Sequence, residues 1–548
     1  MIELSDTTLR DGAQAEGISF SVSDKIQIIS ALDELGIRWI EAGSPGINPA
    51  DFELFRLLQS KPALRRSSLL AFGPTCRPGT SPADDENLKK LAGCGADGVV
   101  LFGKCSLPLV SHVLHCTPDE NLRMIRDSVS YLKQHHQIVW FDAEHFFDGF
   151  ADHQDYALSA LAAAAEGGAD RIILCDTRGS MLPDEIRRIV AAARSSCAIP
   201  LGIHCHNDCG LAVSNSIEAV QAGCTLVQGT IGGIGERCGN ANLCTIIPVL
   251  SLKMGLKCIP TDKLPRLTHL SRKIFEIMNI VPDETSPFIG NSAFAHKAGV
   301  HIDGIMKDPE SYEQINPESV GNQRRFLLSD QVGKAGVYAR LGRFLPDLNR
   351  DSSEISRILQ KLKEMETAGY TYENADSSFE LLALDTLGRR PRYFEVVDYH
   401  VLCQSNPLES GNLPSAQAYL KINVNGKEEI NAAEGDGPVN ALDLALRKTL
   451  SLFFPSVSHM SLKDFKVRVL NAKGTASLVR VSIESSDGEH IWNTVGVSEN
   501  IIEACLKALI DSVDYMLTKY VPPHEIYQAF DFSGSGQPVS SLNVRGGK

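Results

Sequence analysis

His204-Cys205-His206 carries the strongest chemical signal in the chain. In an extended strand, residues i and i+2 face the same side. Two imidazoles therefore project together, within reach of one metal ion, and Asn207-Asp208 follows at once. Asp11 adds a carboxylate from near the start of the chain, and Asn240, closing the glycine-rich run Gly232–Asn240, adds an amide oxygen. Two His, one Asp and one Asn form a mixed nitrogen–oxygen donor set with coordination positions left open. Such a set suits Mg²⁺, Mn²⁺, Co²⁺ or Zn²⁺ acting as a Lewis acid. A closed structural zinc site would instead draw on thiolates. Cys205 alternates to the other side of the strand and reads as packed wall.

These groups need elements that bring them together. Eight β-rich runs occupy the first ~250 residues: Ile2–Thr8, Ile37–Gly43, Ser68–Phe72, Gly98–Phe102, Ile138–Glu144, Arg171–Thr177, Pro200–His206 and Thr225–Thr230. Amphipathic stretches separate them. One is Ser23–Leu35, with Ser23 as the expected N-cap and Gly36 just past the end. Another is the alanine-rich Tyr156–Glu166. Eight strand–helix units predict an α/β fold, a (β/α)₈ TIM barrel. A doubly wound sheet is the runner-up, but no GxGxxG follows the first strand. Polar residues end five of the eight runs: Thr7, Thr8, Arg10 and Asp11; Glu41; Glu144; Asp176-Thr177; His204 and His206. The carboxyl ends of barrel strands carry the chemistry, so these residues are expected at one mouth. There the first, seventh and eighth strands are neighbours, and the metal donors can converge.

The remainder is expected to be less regular. Residues 261–378 read as helical linker subdomains and 379–525 as an α+β domain. Within it, Tyr419–Val424 followed by Asn440–Leu446 is echoed by Val479–Glu484 followed by Asn500–Leu506. A strand-then-helix unit repeated at an offset of about 60 residues implies pseudo-symmetry. The barrel is assigned to 1–260, and the last stretch, 526–548, whose end is rich in Gly and Ser, reads as a disordered tail.

Composition excludes several classes. The chain has 548 residues, enough for two to four domains, with a net charge of −14. Arg324-Arg325 and Arg389-Arg390 are isolated pairs rather than a cluster, so nucleic acid is not an expected partner. No apolar run approaches the ~18 residues of a membrane helix. The 14 cysteines show no CxxC pair. With no export signal at Met1–Gly12, they read as reduced thiols of a cytoplasmic protein.

Three motifs together carry a family resemblance: Asp6-Thr7-Thr8-Leu9-Arg10-Asp11-Gly12, His204-Cys205-His206-Asn207-Asp208, and Gly235–Asn242. They resemble the signatures of the 2-isopropylmalate, homocitrate and citramalate synthases of the DRE-TIM metallolyase superfamily. Asp142–Gly149, Asn291–His301 and Thr494–Glu503 look most like the citramalate branch. The resemblance implies a Claisen-type condensation of acetyl-CoA with a small 2-oxo acid, pyruvate in that branch, as a step of isoleucine synthesis. It places Asp11, His204, His206 and Asn240 at the metal and Arg10 at the enolate oxygen, with Glu41 holding Arg10. It places Thr177 on the substrate carboxylate and Glu144 near the acetyl methyl. His301 and Tyr312 match a His/Tyr pair that reaches a neighbouring subunit's barrel. Which of these groups is the base stays open. The resemblance also implies a homodimer whose C-terminal domain binds an amino-acid effector similar to isoleucine or leucine. A larger 2-oxo acid, as in isopropylmalate or homocitrate synthesis, and retro-aldol cleavage are the competing readings. The sequence departs from the branch at Gly43-Ser44-Pro45-Gly46 and at Lys104–Pro108, loops expected at the barrel mouth. Phe72 and Phe102 end adjacent strands and are candidates to surround a small methyl group.

Overall fold

The computed structural model describes residues 2–59, 64–327, 333–342, 344–349, 352–404, 415–470 and 477–530. They divide into two compact units: one of 1–295 with 313–325, the other of 296–312 with 326 onward.

The first unit is built on eight parallel strands: β1 (Glu3–Asp6), β2 (Trp39–Gly43), β3 (Ser68–Pro74), β4 (Gly98–Lys104), β5 (Ile138–Glu144), β6 (Arg171–Asp176), β7 (Leu201–Cys205) and β8 (Leu226–Gly229). They hydrogen-bond in sequence order, and β1 pairs with β8 to close the barrel. Each expected strand is present. Alternation along the strands sorts the side chains into two cores. Outward residues such as Leu4, Ile40, Leu101, Ile203 and Cys205 pack under the helices in the large outer core. Inward residues Trp39, Leu70, Val100, Trp140, Ile173 and Leu226 form a separate apolar plug inside the barrel. Its two indoles meet edge to face with centroids 5.0 Å apart. Toward the carboxyl ends, the inner face turns polar on four of the strands, with Glu41, Asp142, His204 and Gln228 all buried. That change is the floor of the mouth.

Local signals differ from expectation at the helix ends. The first helix spans Val22–Leu35, and Ser21 rather than Ser23 caps it. The Ser21 hydroxyl accepts from the Asp24 N–H while Asp24 reaches back to the Ser21 N–H, a reciprocal box that Ser23 has no acid in place to make. Gly36 ends this helix at φ +90, as its position suggested. The Ala-rich helix begins at Phe146 and runs to Glu166, with a kink at His153. The barrel unit also extends beyond the expected boundary at 260, because helix Leu267–Ile277 buries Leu267, Leu270 and Ile274 in the outer core.

In the second unit, helices Lys334–Leu341, Ser353–Thr367 and Asp376–Thr386 share a core of Val337, Ile355, Ile358 and Phe379. Two three-stranded antiparallel sheets follow, Glu395–Gln404 with Ser415–Val424 and Lys427–Gly435, then Ser461–Val469 with Val479–Ser486 and Ile491–Ser498. Each is followed by a helix, Pro438–Leu450 and Ile501–Lys519. The echoed segments Tyr419–Val424 and Val479–Glu484 are the central strands of the two sheets, so the sequence repeat is a structural duplication. The expected tail at 526–548 begins inside a helix, Pro523–Ala529; residues 531–548 lie outside the described residues. Among the described residues no helix is long and apolar enough to cross a membrane, and the cysteines are all free.

Candidate metal and active site

A cavity of about 530 Å³ opens at the carboxyl ends of the strands. Arg10, Asp11, Phe72, Phe102, Glu144, Thr177, His204 and His206 all line it.

The His204 and His206 Nε2 atoms lie 3.3 Å apart on the inner side of β7 and its exit. Asp11 Oδ2 reaches in from the turn after β1, 3.5 Å from the first and 3.9 Å from the second. Donors bound to one ion at about 2.0–2.2 Å stand about 3.0–3.5 Å from one another, so the triangle is sized for a single divalent cation. Asn240 completes the group differently from the simplest expectation. Its Nδ2 donates to Asp11 Oδ1 at 2.9 Å and to the Ile234 carbonyl at 3.2 Å. The amide thus orients the carboxylate, while its own buried Oδ1 has no hydrogen-bond partner. That orphaned oxygen fits a ligand or a ligand-bound water, since buried acceptors are rarely left unsatisfied. The glycine-rich loop makes this possible. A Cβ on Gly235 would collide with the Asn240 amide, and Gly239 needs φ +87 to turn the chain back. A backbone bridge then ties Asn240 to His206.

The electrostatics suit a cation. Burial, with His206 adding to it, pulls His204 down to about 3, and burial lowers His206 as well. Both rings are therefore neutral and offer lone pairs. Burial opposes the charge on Asp11, but the charge of Arg10 and the hydrogen bond from Asn240 act against it, and the carboxyl is held well below its usual range.

Arg10 is fixed on three sides. Its Nε donates to Glu41 Oε2 at 2.8 Å and its Nη1 to Asp11 Oδ2 at 3.0 Å. The guanidinium lies 3.9 Å over the Phe72 ring. Burial works against this charge, while Glu41 and Asp11 keep the guanidinium protonated. Across the cavity, Thr177 Oγ1 accepts the His145 N–H at 2.8 Å, which leaves the hydroxyl hydrogen for a ligand. His145 reaches that place with φ +57, a left-handed conformation that costs a non-glycine residue energy, and its ring contacts Asp148 at 3.0 Å. Glu144 accepts from Lys104 at 2.5 Å. Phe72 and Phe102 stack with centroids 5.1 Å apart. His301 and Tyr312 belong to the second unit, where their rings stack at 4.3 Å.

Two polar residues that sequence reasoning left without a role join this layer. Asp142 is buried two residues before Glu144 on the inner face of β5, with Oδ1 unpartnered. Burial, with Glu41 adding to it, pushes its carboxyl well above the ordinary range. Gln228, beside His204 in the strand register, donates to Glu41 Oε1 at 2.9 Å. Same-face spacing was the available signal: Asp142 lies at i−2 from Glu144, and Gln228 is a polar residue inside an apolar strand.

Comparison with known proteins adds three family matches along the chain. The HMGL-like family matches residues 1–272, the homocitrate synthase post-HMGL domain-like family 288–369, and the LeuA allosteric (dimerisation) domain 373–517. The (R)-citramalate synthase of Geobacter sulfurreducens is 47% identical over 520 residues, 95% of this chain and 98% of that protein. Those of Synechocystis and Aquifex aeolicus are each 45% identical, over 94% of this chain and 96% and 97% of theirs.

Proposed function

The chain belongs to the (R)-citramalate synthase family, and from that premise we propose how its barrel mouth performs the reaction. The enzyme is an acyltransferase. It condenses acetyl-CoA with pyruvate and water to give (R)-citramalate and CoA, the entry to isoleucine synthesis from these precursors. The reaction depends on a divalent metal ion.

Asp11, His204, His206 and the oxygen of Asn240 are the residues that would hold the ion. When bound, it would supply Lewis acidity to the carbonyl of the 2-oxo acid. Thr177 donates its free hydroxyl hydrogen to the substrate carboxylate. Glu144 takes a proton from the acetyl methyl group, the resulting carbanion attacks the keto carbon of pyruvate, and the keto oxygen, its π bond broken, takes up a proton to become the citramalate hydroxyl. Arg10 stands where negative charge gathers on the thioester oxygen during that transfer. Its guanidinium needs no reorganisation, because Glu41, Asp11 and Phe72 already fix it. Water then cleaves the thioester and releases CoA. By the family resemblance His301 and Tyr312, whose rings stack at 4.3 Å, would serve proton handling in a neighbouring subunit's barrel. Mg²⁺, Mn²⁺, Co²⁺ and Zn²⁺ all match the donor set.

One observation carries this reading: three metal donors from two segments far apart in sequence, the turn after β1 and the end of β7, meet within 4.8 Å of one another in a cavity that also holds Arg10 and Thr177. The stacked Phe72 and Phe102 favour a methyl over a branched side chain on the 2-oxo acid. The LeuA-type domain supports a homodimer that binds an amino acid similar to isoleucine or leucine. The free cysteines and metabolic co-substrate support a cytoplasmic site. The test follows CoA thiol release from acetyl-CoA against a panel of 2-oxo acids. Pyruvate is expected to lead. If pyruvate is inert while 2-oxoisovalerate or 2-oxoglutarate turns over, the substrate assignment falls.

A further inference from the structure

The end of β4 departs from the branch pattern just after Lys104, and no role follows for this lysine from the resemblance. The strand register sets Lys104 directly beside Glu144. Its ammonium donates to Glu144 Oε2 at 2.5 Å, with the two side chains only 17% and 22% exposed. The backbone around the pair is pinned. Asn121 Nδ2 donates to the Lys104 carbonyl at 2.8 Å and to the Tyr156 hydroxyl at 2.8 Å. The Cys105 N–H donates to the Glu144 carbonyl at 2.9 Å. The strand ends that carry the pair are therefore stitched together by backbone and side chain alike.

Charge in the mouth points the same way. Asp11, Asp51, Asp142, Glu144 and Glu236 line one cavity, with Glu41 hydrogen-bonded to Arg10 behind it. Arg10 is committed to Glu41 and Asp11. Lys25 is committed to Asp51 at 2.6 Å and to the Ala42 carbonyl at 3.1 Å. Among the described residues, Lys104 is the cation that pairs with Glu144. A glutamate side chain left alone at a cavity rim samples several rotamers, and ordering it costs conformational entropy. A proton acceptor displaced by about 1 Å can lose about 10²-fold in rate.

We propose that Lys104 is a positioning residue for the condensation: it does not touch substrate but holds the Glu144 carboxylate where the acetyl methyl group arrives. This rests on the reading of Glu144 given above.

The test uses the full-length, metal-loaded enzyme and the variants Lys104→Met, Lys104→Gln, Lys104→Arg, Glu144→Gln and the double Lys104→Met/Glu144→Gln. The readouts are kcat, KM for each substrate, bound metal, and the primary isotope effect with trideuterated acetyl-CoA. Lys104→Met is expected to lower kcat about 10- to 100-fold, with pyruvate KM within about three-fold and metal content unchanged. The isotope effect should grow as proton removal becomes slower. Lys104→Arg, which keeps a donor of the same charge, should recover most of the loss. In the Glu144→Gln background, Lys104→Met should cost little more, because the two residues act as a unit. Lys104→Gln serves if the methionine variant does not fold. The proposal is overturned if Lys104 variants keep kcat within about two-fold, or if Lys104→Met costs as much with Glu144→Gln as without it. Full activity in Glu144→Gln alone would instead withdraw the role of Glu144, a separate failure.

Discussion

Replacing Glu41 in two steps separates the charge of the Arg10 clamp from its geometry. Both carboxylate oxygens are in use: Oε2 takes the Arg10 Nε–H at 2.8 Å and Oε1 takes the Gln228 amide at 2.9 Å. In Glu41→Gln, one oxygen faces two donors. Arg10 cannot reverse its donor, whereas Gln228 can turn its amide, because its Oε1 has no partner. The new amide oxygen therefore settles on Arg10. The hydrogen bond survives and its charge assistance is lost, roughly half its strength. That is about 1 kcal/mol, or about five-fold in rate. In Glu41→Ala the bond itself goes, about 1.5–3 kcal/mol for a charged donor, which corresponds to about 10- to 150-fold. Arg10 is assigned to charge that develops only during reaction, so the loss belongs in kcat with KM steady. Glu41→Ala also leaves a buried guanidinium short of a partner and should cost about 3–5 kcal/mol of stability, so turnover is measured well below its melting transition. The assay is CoA thiol release at saturating acetyl-CoA and pyruvate, with bound metal quantified for each variant. Full kcat in Glu41→Ala, a loss confined to KM, or a larger loss in Gln than in Ala would refute the clamp.

Three further outcomes follow from the same geometry. His206→Ala should stay folded yet retain little metal after desalting and lose on the order of 10³-fold in kcat; unchanged activity would remove the metal assignment. Phe102→Ala should raise kcat/KM for 2-oxobutanoate relative to pyruvate by about ten-fold or more, and an unchanged ratio would detach the aromatic pair from specificity. Metal-free protein should weaken as pH falls from about 6.5 toward 3, because burial and His206 depress His204 to about 3 from 6.5, so the unfolded chain takes up the proton first. Above that window the term is flat, and His204→Gln should reduce the slope of urea midpoint against pH; parallel curves would contradict it.

Much of this site was legible in the residues because its rules are local. Period-2 alternation put His204 and His206 on one face and turned Cys205 outward. Eight alternating strand–helix units fixed the barrel, and strand-end polarity marked the mouth. The N-cap was misplaced by two residues because Ser21 and Ser23 look alike until the return bond from Asp24 is seen. The expected boundary at 260 missed helix Leu267–Ile277, since an amphipathic helix does not announce which core it covers.

What only the tertiary structure decided was convergence across long stretches of chain. Asp11 and Asn240 are 229 residues apart, and nothing in either segment says that the amide nitrogen turns to the carboxylate. Barrel closure of β8 onto β1 brings them together, and glycines at 235 and 239 let the loop descend. The pairings of Glu41 with Arg10 and Gln228, and of Lys104 with Glu144, likewise depend on strand register. The sequence names the donors. Which one faces which is set by the closed sheet, because hydrogen-bond partners on neighbouring strands are chosen by stagger rather than by anything within one strand.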